Sequence, residues 1–174
     1  MTSLFPHTQY AEDQPLYHTI LTSHVIYRGF QTGAIIGLAT GVARSLYNGG
    51  NSKTVASSKS PASIVRSVGF GSTIGGGLLA VILPLYMMGK TDIEWKDRSW
   101  RLLENKGQVA VDDWSGIGAL LGVGSLALRG SSFPIALGWK EVMGRAALGS
   151  IAGIVALLAR SSVQKPKDSS EKRL

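Results

Sequence analysis

The chain has 174 residues, of which 17% are charged and 44% hydrophobic, with a formal net charge of +7 and no cysteine. The lack of cysteine excludes disulfides, thiol chemistry and thiolate metal sites. The charges gather between four apolar blocks, at residues 25–47, 64–88, 109–128 and 142–159, each near or slightly below the roughly 20 helical residues that cross about 30 Å of hydrocarbon.

A water-soluble bundle would alternate apolar with charged residues every helical turn. Residues 29–43 and 67–88 contain no charge at all, so neither segment has a water-facing side. The expected fold is an all-α membrane protein: four glycine-rich transmembrane helices in two hairpins, plus a short interfacial helix. Lys and Arg sit at helix ends and tails, where they anchor to headgroups and to anionic lipid such as cardiolipin; nucleic acid is not an expected partner.

In chain order, residues 1–23 read as an irregular polar arm outside the bilayer, with Pro6, Pro15, His7, His18, Glu12 and Asp13. The first 27 residues hold no Lys or Arg, so neither a secretory signal nor an Arg-rich transit peptide fits, and internal targeting is expected. The transmembrane domain is expected over 24–160. Its first helix carries Gly29, Gly33, Gly37 and Gly41 at strict i, i+4 spacing, which places them on one stripe suited to close helix packing.

Residues 48–61 read as a loop, and the second helix carries Gly71 and Gly75 with Pro84 near its far end, where a kink or early stop is predicted. Thr91 and Glu94 have capping-box spacing, and charges interleave Ile93, Trp95, Trp100 and Leu103. An amphipathic helix over about 91–105 is therefore predicted, with Trp95 and Trp100 at headgroup depth, in contact with lipid or a partner. Asp112 and Asp113 are read as preceding the third helix, which carries Gly118 and Gly122. A turn-rich connection over 130–138 leads to the fourth helix, after Glu141, with Gly149 and Gly153. Residues 161–174 are expected to be a charged, flexible tail.

An internal repeat is visible. Gly33 and Gly37 followed by Arg44 match Gly118 and Gly122 followed by Arg129, and Arg66, Gly71 and Gly75 match Arg145, Gly149 and Gly153. Duplication would make two parallel hairpins. With four crossings Arg44, Arg66, Arg129 and Arg145 lie on one side, snorkelling to the interface or forming a basic cluster for lipid headgroups or an acidic partner.

No catalytic set, cofactor or metal site is legible. Gly89-Lys90-Thr91 has Pro84 where a phosphate loop needs glycine, and Gly69-x-Gly71 has Ile74 where a dinucleotide fingerprint needs its third. His7, His18 and His24 have no acidic or cysteine partner at metal-site spacing and read as residues of the polar arm. The acids read as lying at helix ends or outside, which argues against an ion path. Thr32, Thr40, Ser72 and Thr73 are candidate polar lining for a cavity, although each can bond its own helix backbone.

The short glycine-rich helices, the uncleaved N-terminus, the basic first and third connections and the GxxxG pairs together resemble the mitochondrial preprotein and amino-acid transporter family. That family holds the channel-type inner-membrane translocase subunits and a membrane-arm accessory subunit of respiratory complex I. The resemblance covers roughly residues 25–159. It departs from the family pattern, which sets an Arg three residues before an Asp ahead of Gly-Gly-xxx-Gly. Here Asp112 and Asp113 precede Gly118-xxx-Gly122, but Ala110 or Ile117 occupies key places, which points away from a core translocase subunit. The resemblance implies a multi-pass, non-catalytic subunit of mitochondrial complex I in the inner membrane, packed against membrane subunits of that complex. The alternative is a translocase or carrier-like transport subunit. The basic 1–2 and 3–4 connections are expected in the matrix and both termini in the intermembrane space. One glycine groove is expected to remain free for a foreign helix.

Overall fold

The computed structural model describes residues 2–48, 61–129 and 138–163. Five α-helices are present among them: α1 Tyr17–Asn48, α2 Pro61–Met87, α3 Asp92–Glu104, α4 Lys106–Gly124 and α5 Trp139–Val163. Three short 3-10 turns, Thr2–Leu4, Ala11–Asp13 and Ala127–Arg129, complete the described secondary structure, which includes no strand. Two helices, Pro61–Met87 and Trp139–Ser162, are long and apolar enough to cross a membrane. In α1 the glycines, Gln31 and the threonines dilute the apolar character, and α4 carries Lys106, Asp112 and Asp113 in its first half.

Three boundaries differ from those expected. α1 begins at Tyr17, so the arm ends well before residue 23. α5 begins at Trp139, which puts Glu141 in its first turn instead of ahead of it. α4 begins at Lys106, which puts Asp112 and Asp113 inside the helix instead of ahead of it. The reason is local: the Asn105 side chain accepts from the Gln108 amide and caps the helix three residues before the apolar block starts. The connections over 49–60 and 130–137, and the tail from 164, lie outside the described residues.

α1 and α2 form one antiparallel pair and α4 and α5 another, each closed by backbone-to-backbone contact at glycine. A Cβ on Gly33 would strike the Gly71 carbonyl, and one on Gly71 the Gly33 carbonyl; Gly29 faces Gly75, and Gly37 faces Ser67. In the second pair Gly118 faces Gly149, Gly122 faces the Arg145 backbone and Gly153 faces the Trp114 backbone. These contacts correspond position by position across the repeat, with Gly33 and Gly37 standing as Gly118 and Gly122 do, and Gly71 and Gly75 as Gly149 and Gly153. The two hairpins meet where Gly69 lies against Lys140 and Gly144, and Gly144 against Val65.

Around the glycine contacts the interior is built of small residues, with Ala34, Val68, Ser72, Ser115, Ala147 and Ser150 buried, while larger Ile20, Leu21, Leu83, Met87 and Leu103 are buried at the arm end. Large apolar side chains such as Ile35, Ile36, Phe70, Leu78, Val81, Leu121, Val155 and Leu158 are exposed on the outside. At the helix crossings this is the reverse of a water-soluble domain, in which large aliphatic residues fill the core. Close packing of small residues is how helices associate where burying apolar surface gives no advantage.

α3 lies across the arm end of the bundle, where α1 and α4 begin. The Trp100 indole donates to the Thr8 carbonyl at 2.9 Å and stacks on His7, while Trp95 meets the His18 ring edge-on at 4.4 Å. Lys96 donates to the Glu12 carbonyl at 2.8 Å. The N-terminus of α3 is secured by Glu94, whose carboxylate accepts from the Thr91 amide at 2.9 Å and pairs with Lys90 at 3.1 Å. Those two donors hold the Glu94 carboxyl below its ordinary range. The stability it contributes is therefore fully present above the ordinary carboxylate range and is lost as pH falls through the lowered folded value. Acid titration of the Trp95 and Trp100 fluorescence should show this loss in the wild type and not in Glu94→Ala, which starts with a less stable α3 at neutral pH.

Candidate functional site

The glycine stripe occupies one side of α1; a polar stripe of His24, Tyr27, Arg28 and Gln31 occupies another and faces α4 and α5. The i, i+4 step from His24 to Arg28 sets both side chains over the same point of α4. That point is Asp112, which is only 4% exposed.

Asp112 Oδ2 lies 2.7 Å from His24 Nδ1 and accepts from the Thr2 hydroxyl at 2.8 Å. Its Oδ1 lies 2.8 Å from Arg28 Nη2, an ion pair by distance with no N–H aimed squarely at the oxygen. Arg28 also donates to Gln108 at 2.8 Å and to Gln31 at 2.9 Å. Gln31 passes the chain on to the buried Ser150 hydroxyl at 3.1 Å, which Tyr27 also meets at 3.0 Å. The network ties the arm, α1, α4 and α5 together at one end of the bundle.

Its chemistry follows from the charges. One carboxylate faces one guanidinium, so the charges of that pair cancel, and His24 Nδ1 adds a hydrogen bond to the same carboxylate. Two hydrogen bonds satisfy Oδ2, while Oδ1 is met only by the charge of Arg28, and the guanidinium beside it repels a metal cation. A cavity of about 680 Å³ opens next to the cluster, walled by Leu4, Phe5, Ala119, Leu120 and Val123. The carboxylate and imidazole therefore also form a proton-accepting pair beside an apolar space.

The expectation that every acid lies at a helix end or outside is corrected by Asp112, and the assignment of His24 to the arm is corrected with it. The signal was available: His24, Arg28 and Gln31 recur at helical spacing in an otherwise apolar segment. Thr32, Thr40, Ser72 and Thr73 all turn back to carbonyls of their own helices, the last two to Gly69.

At the opposite end of the bundle, Arg145 pairs with the buried Glu141 at 3.5 Å and donates to Ser125 at 3.3 Å. Arg44 and Arg66 are exposed at that same end, with no hydrogen-bond or ion-pair partner among the described residues. The side chain of Arg129 lies outside the described residues. Trp100 is half-buried against the chain's own arm and Trp95 against His18 of α1. Both glycine grooves are closed from within the chain, so the expectation of a free groove for a foreign helix is corrected: the second hairpin repeats the self-packing of the first.

An all-helical chain with two membrane-length apolar helices, glycine-closed hairpins and a buried ionic clasp is the class these features define. The chain belongs to the family described as "Protein of unknown function (DUF1757)", which matches residues 11–162. That span contains both hairpins, α3, His24, Arg28 and Asp112, and leaves Thr2 outside. No curated protein matches the chain.

Proposed function

We propose that the chain is a non-catalytic accessory subunit of mitochondrial respiratory complex I, crossing the inner membrane four times and supporting the assembly and stability of the membrane arm. The observation that carries the reading is the distribution of side chains, with small residues at the helix crossings and many large apolar ones exposed outside. Contiguous apolar surface of this extent calls for lipid or a partner membrane protein. With both glycine grooves filled internally, the outer faces of the hairpins are the surfaces left for neighbouring subunits. The Asp112 clasp, closed on Arg28 and His24, acts as internal bracing in this reading. The basic end of the bundle faces the matrix, and the arm and α3 face the intermembrane space.

A second reading, a translocase or carrier-like subunit, draws on one specific observation: the Asp112 and His24 pair is buried beside a cavity, as ionisable groups on transport paths commonly are.

Mitochondrial membranes washed with alkaline carbonate, then solubilised in mild detergent and run on native gels, test both. The chain should stay in the washed pellet and migrate with complex I, and its deletion should lower the amount of assembled complex while the redox domain keeps its intrinsic chemistry. Release by carbonate overturns the membrane reading. Migration with an import complex and never with complex I overturns the scaffold reading in favour of transport.

A further inference from the structure

The closed seam between α1 and α2 leaves an outward-facing channel of about 630 Å³. Its floor is backbone at Gly29, Gly33, Gly37, Gly71 and Gly75, and its rims are Ile36, Phe70, Ile74, Leu78 and Ile82. Arg44 stands at one end, on the opposite side of the bundle from the Asp112 clasp. The distance along α1 from Gly29 to Arg44 is roughly 22 Å, at about 1.5 Å per residue. The channel is thus a long apolar slot with a single cation at its mouth.

The geometry points to a bound anionic phospholipid, with one acyl chain in the slot and its phosphate on Arg44. Three observations carry this. First, charge complementarity: Arg44 has no partner among the described residues, and Arg66, likewise unpaired, emerges at the same end beside Ser67 of the slot wall. A guanidinium offers a phosphate paired donors, and the cation at the mouth, with Arg66 nearby at the same end of the bundle, favours an anionic over a zwitterionic headgroup. Second, shape: the polar uncharged side chains along the slot, Thr32, Thr40 and Ser67, are already bonded to carbonyls of their own helices, so the walls present little for a peptide or polar solute to bind. The slot volume is within the range of ligand sites, and its length exceeds the ~15 Å half-depth of a hydrocarbon core.

Third, the other hairpin differs where it matters. The carbonyl that meets Gly75 belongs to Gly29, and the one that meets the matching Gly153 belongs to Trp114. The position of α4 that matches Gly29 therefore carries Trp114, whose indole has Arg160 over its ring at 5.7 Å. The duplicated scaffold carries a glycine at this position in the hairpin with the slot and a tryptophan in the other.

This inference rests on the membrane reading, since the slot must face lipid, and is independent of which complex the chain joins. Full-length protein, delipidated in detergent, is offered equal amounts of phosphatidylglycerol and phosphatidylcholine, and bound lipid is counted by native mass spectrometry. The wild type should retain one phosphatidylglycerol in preference. Arg44→Gln should lower that occupancy about tenfold, the scale of one charge-assisted hydrogen bond. Arg160→Gln, with the same change in net charge, should leave it intact. Thr40→Trp, on the exposed rim, should reduce occupancy by both lipids, and an excess of inorganic phosphate should not compete. Equal retention of the two lipids, an unchanged Arg44→Gln, or loss in Arg160→Gln equal to that in Arg44→Gln overturns the site. Any of these in a protein that still resists carbonate extraction leaves the membrane reading standing, whereas carbonate release removes both.

Discussion

Gly71→Leu should separate α1 from α2 and cost about 3 kcal/mol or more, because its side chain has no room and its neighbours cannot give way. The atoms that a Cβ at Gly71 would meet are the Gly33 carbonyl and the Gly37 Cα and amide nitrogen, all backbone. Accommodating even a methyl there requires the two helices to move apart, and the move removes the contacts at Gly29, Gly33 and Gly75 together. Gly77→Leu supplies the control within the same helix, since nothing lies within 4 Å of a Cβ at Gly77, and exchanging an exposed helical glycine should be neutral or slightly stabilising. Thermal unfolding in detergent, read alongside the size of the protease-resistant core, should show a large loss for Gly71→Leu and none for Gly77→Leu. Equal behaviour would mean that the seam is not held by close backbone approach.

The contrast shows why the hairpins were legible in the sequence and the clasp was not. Glycines at i, i+4 in an uncharged segment have few other uses, and spacing alone places Gly29, Gly33 and Gly37 on one face. The same arithmetic applied to Gly118 and Gly122 exposes the repeat. It does not say whether a stripe meets its own hairpin partner or a foreign helix, because a glycine face is complementary to any other. Asp112 was misread for a different reason. Hydropathy places the start of the third block at Val109, and an acidic pair that close to the boundary reads as an entrance. The helix starts instead at the Asn105 cap, which carries Asp112 into the packed part of the bundle. Its partners, His24 and Thr2, are 88 and 110 residues distant, and no local pattern reports a pairing at such separation. The polar period of α1 was the readable half of the clasp.

Asp112→Ala should be the most damaging single change at the arm end. It removes the acceptor shared by Thr2 and His24 and leaves the Arg28 guanidinium, largely covered by the bundle, without its counter-charge. Breaking one side of a buried ion pair costs about 3–5 kcal/mol, chiefly through the charge left behind. Asp112→Asn keeps an oxygen for Thr2 and His24 but sets an amide NH2 against Arg28 in place of the second oxygen, so its cost should be smaller than that of Asp112→Ala without vanishing. The double change Asp112→Leu with Arg28→Met removes both charges and should recover most of the stability lost in Asp112→Ala. Two measurements read the result: thermal unfolding in detergent, and the rate at which protease cuts the arm ahead of Tyr17, which should rise once Thr2 has nothing to hold. The double variant also separates the two functional readings. If the cluster is bracing, restoring stability restores the amount of assembled complex. If the carboxylate and imidazole serve a transport path, the double variant folds and assembles but stays inactive, because an apolar pair can close the bundle and cannot accept a proton.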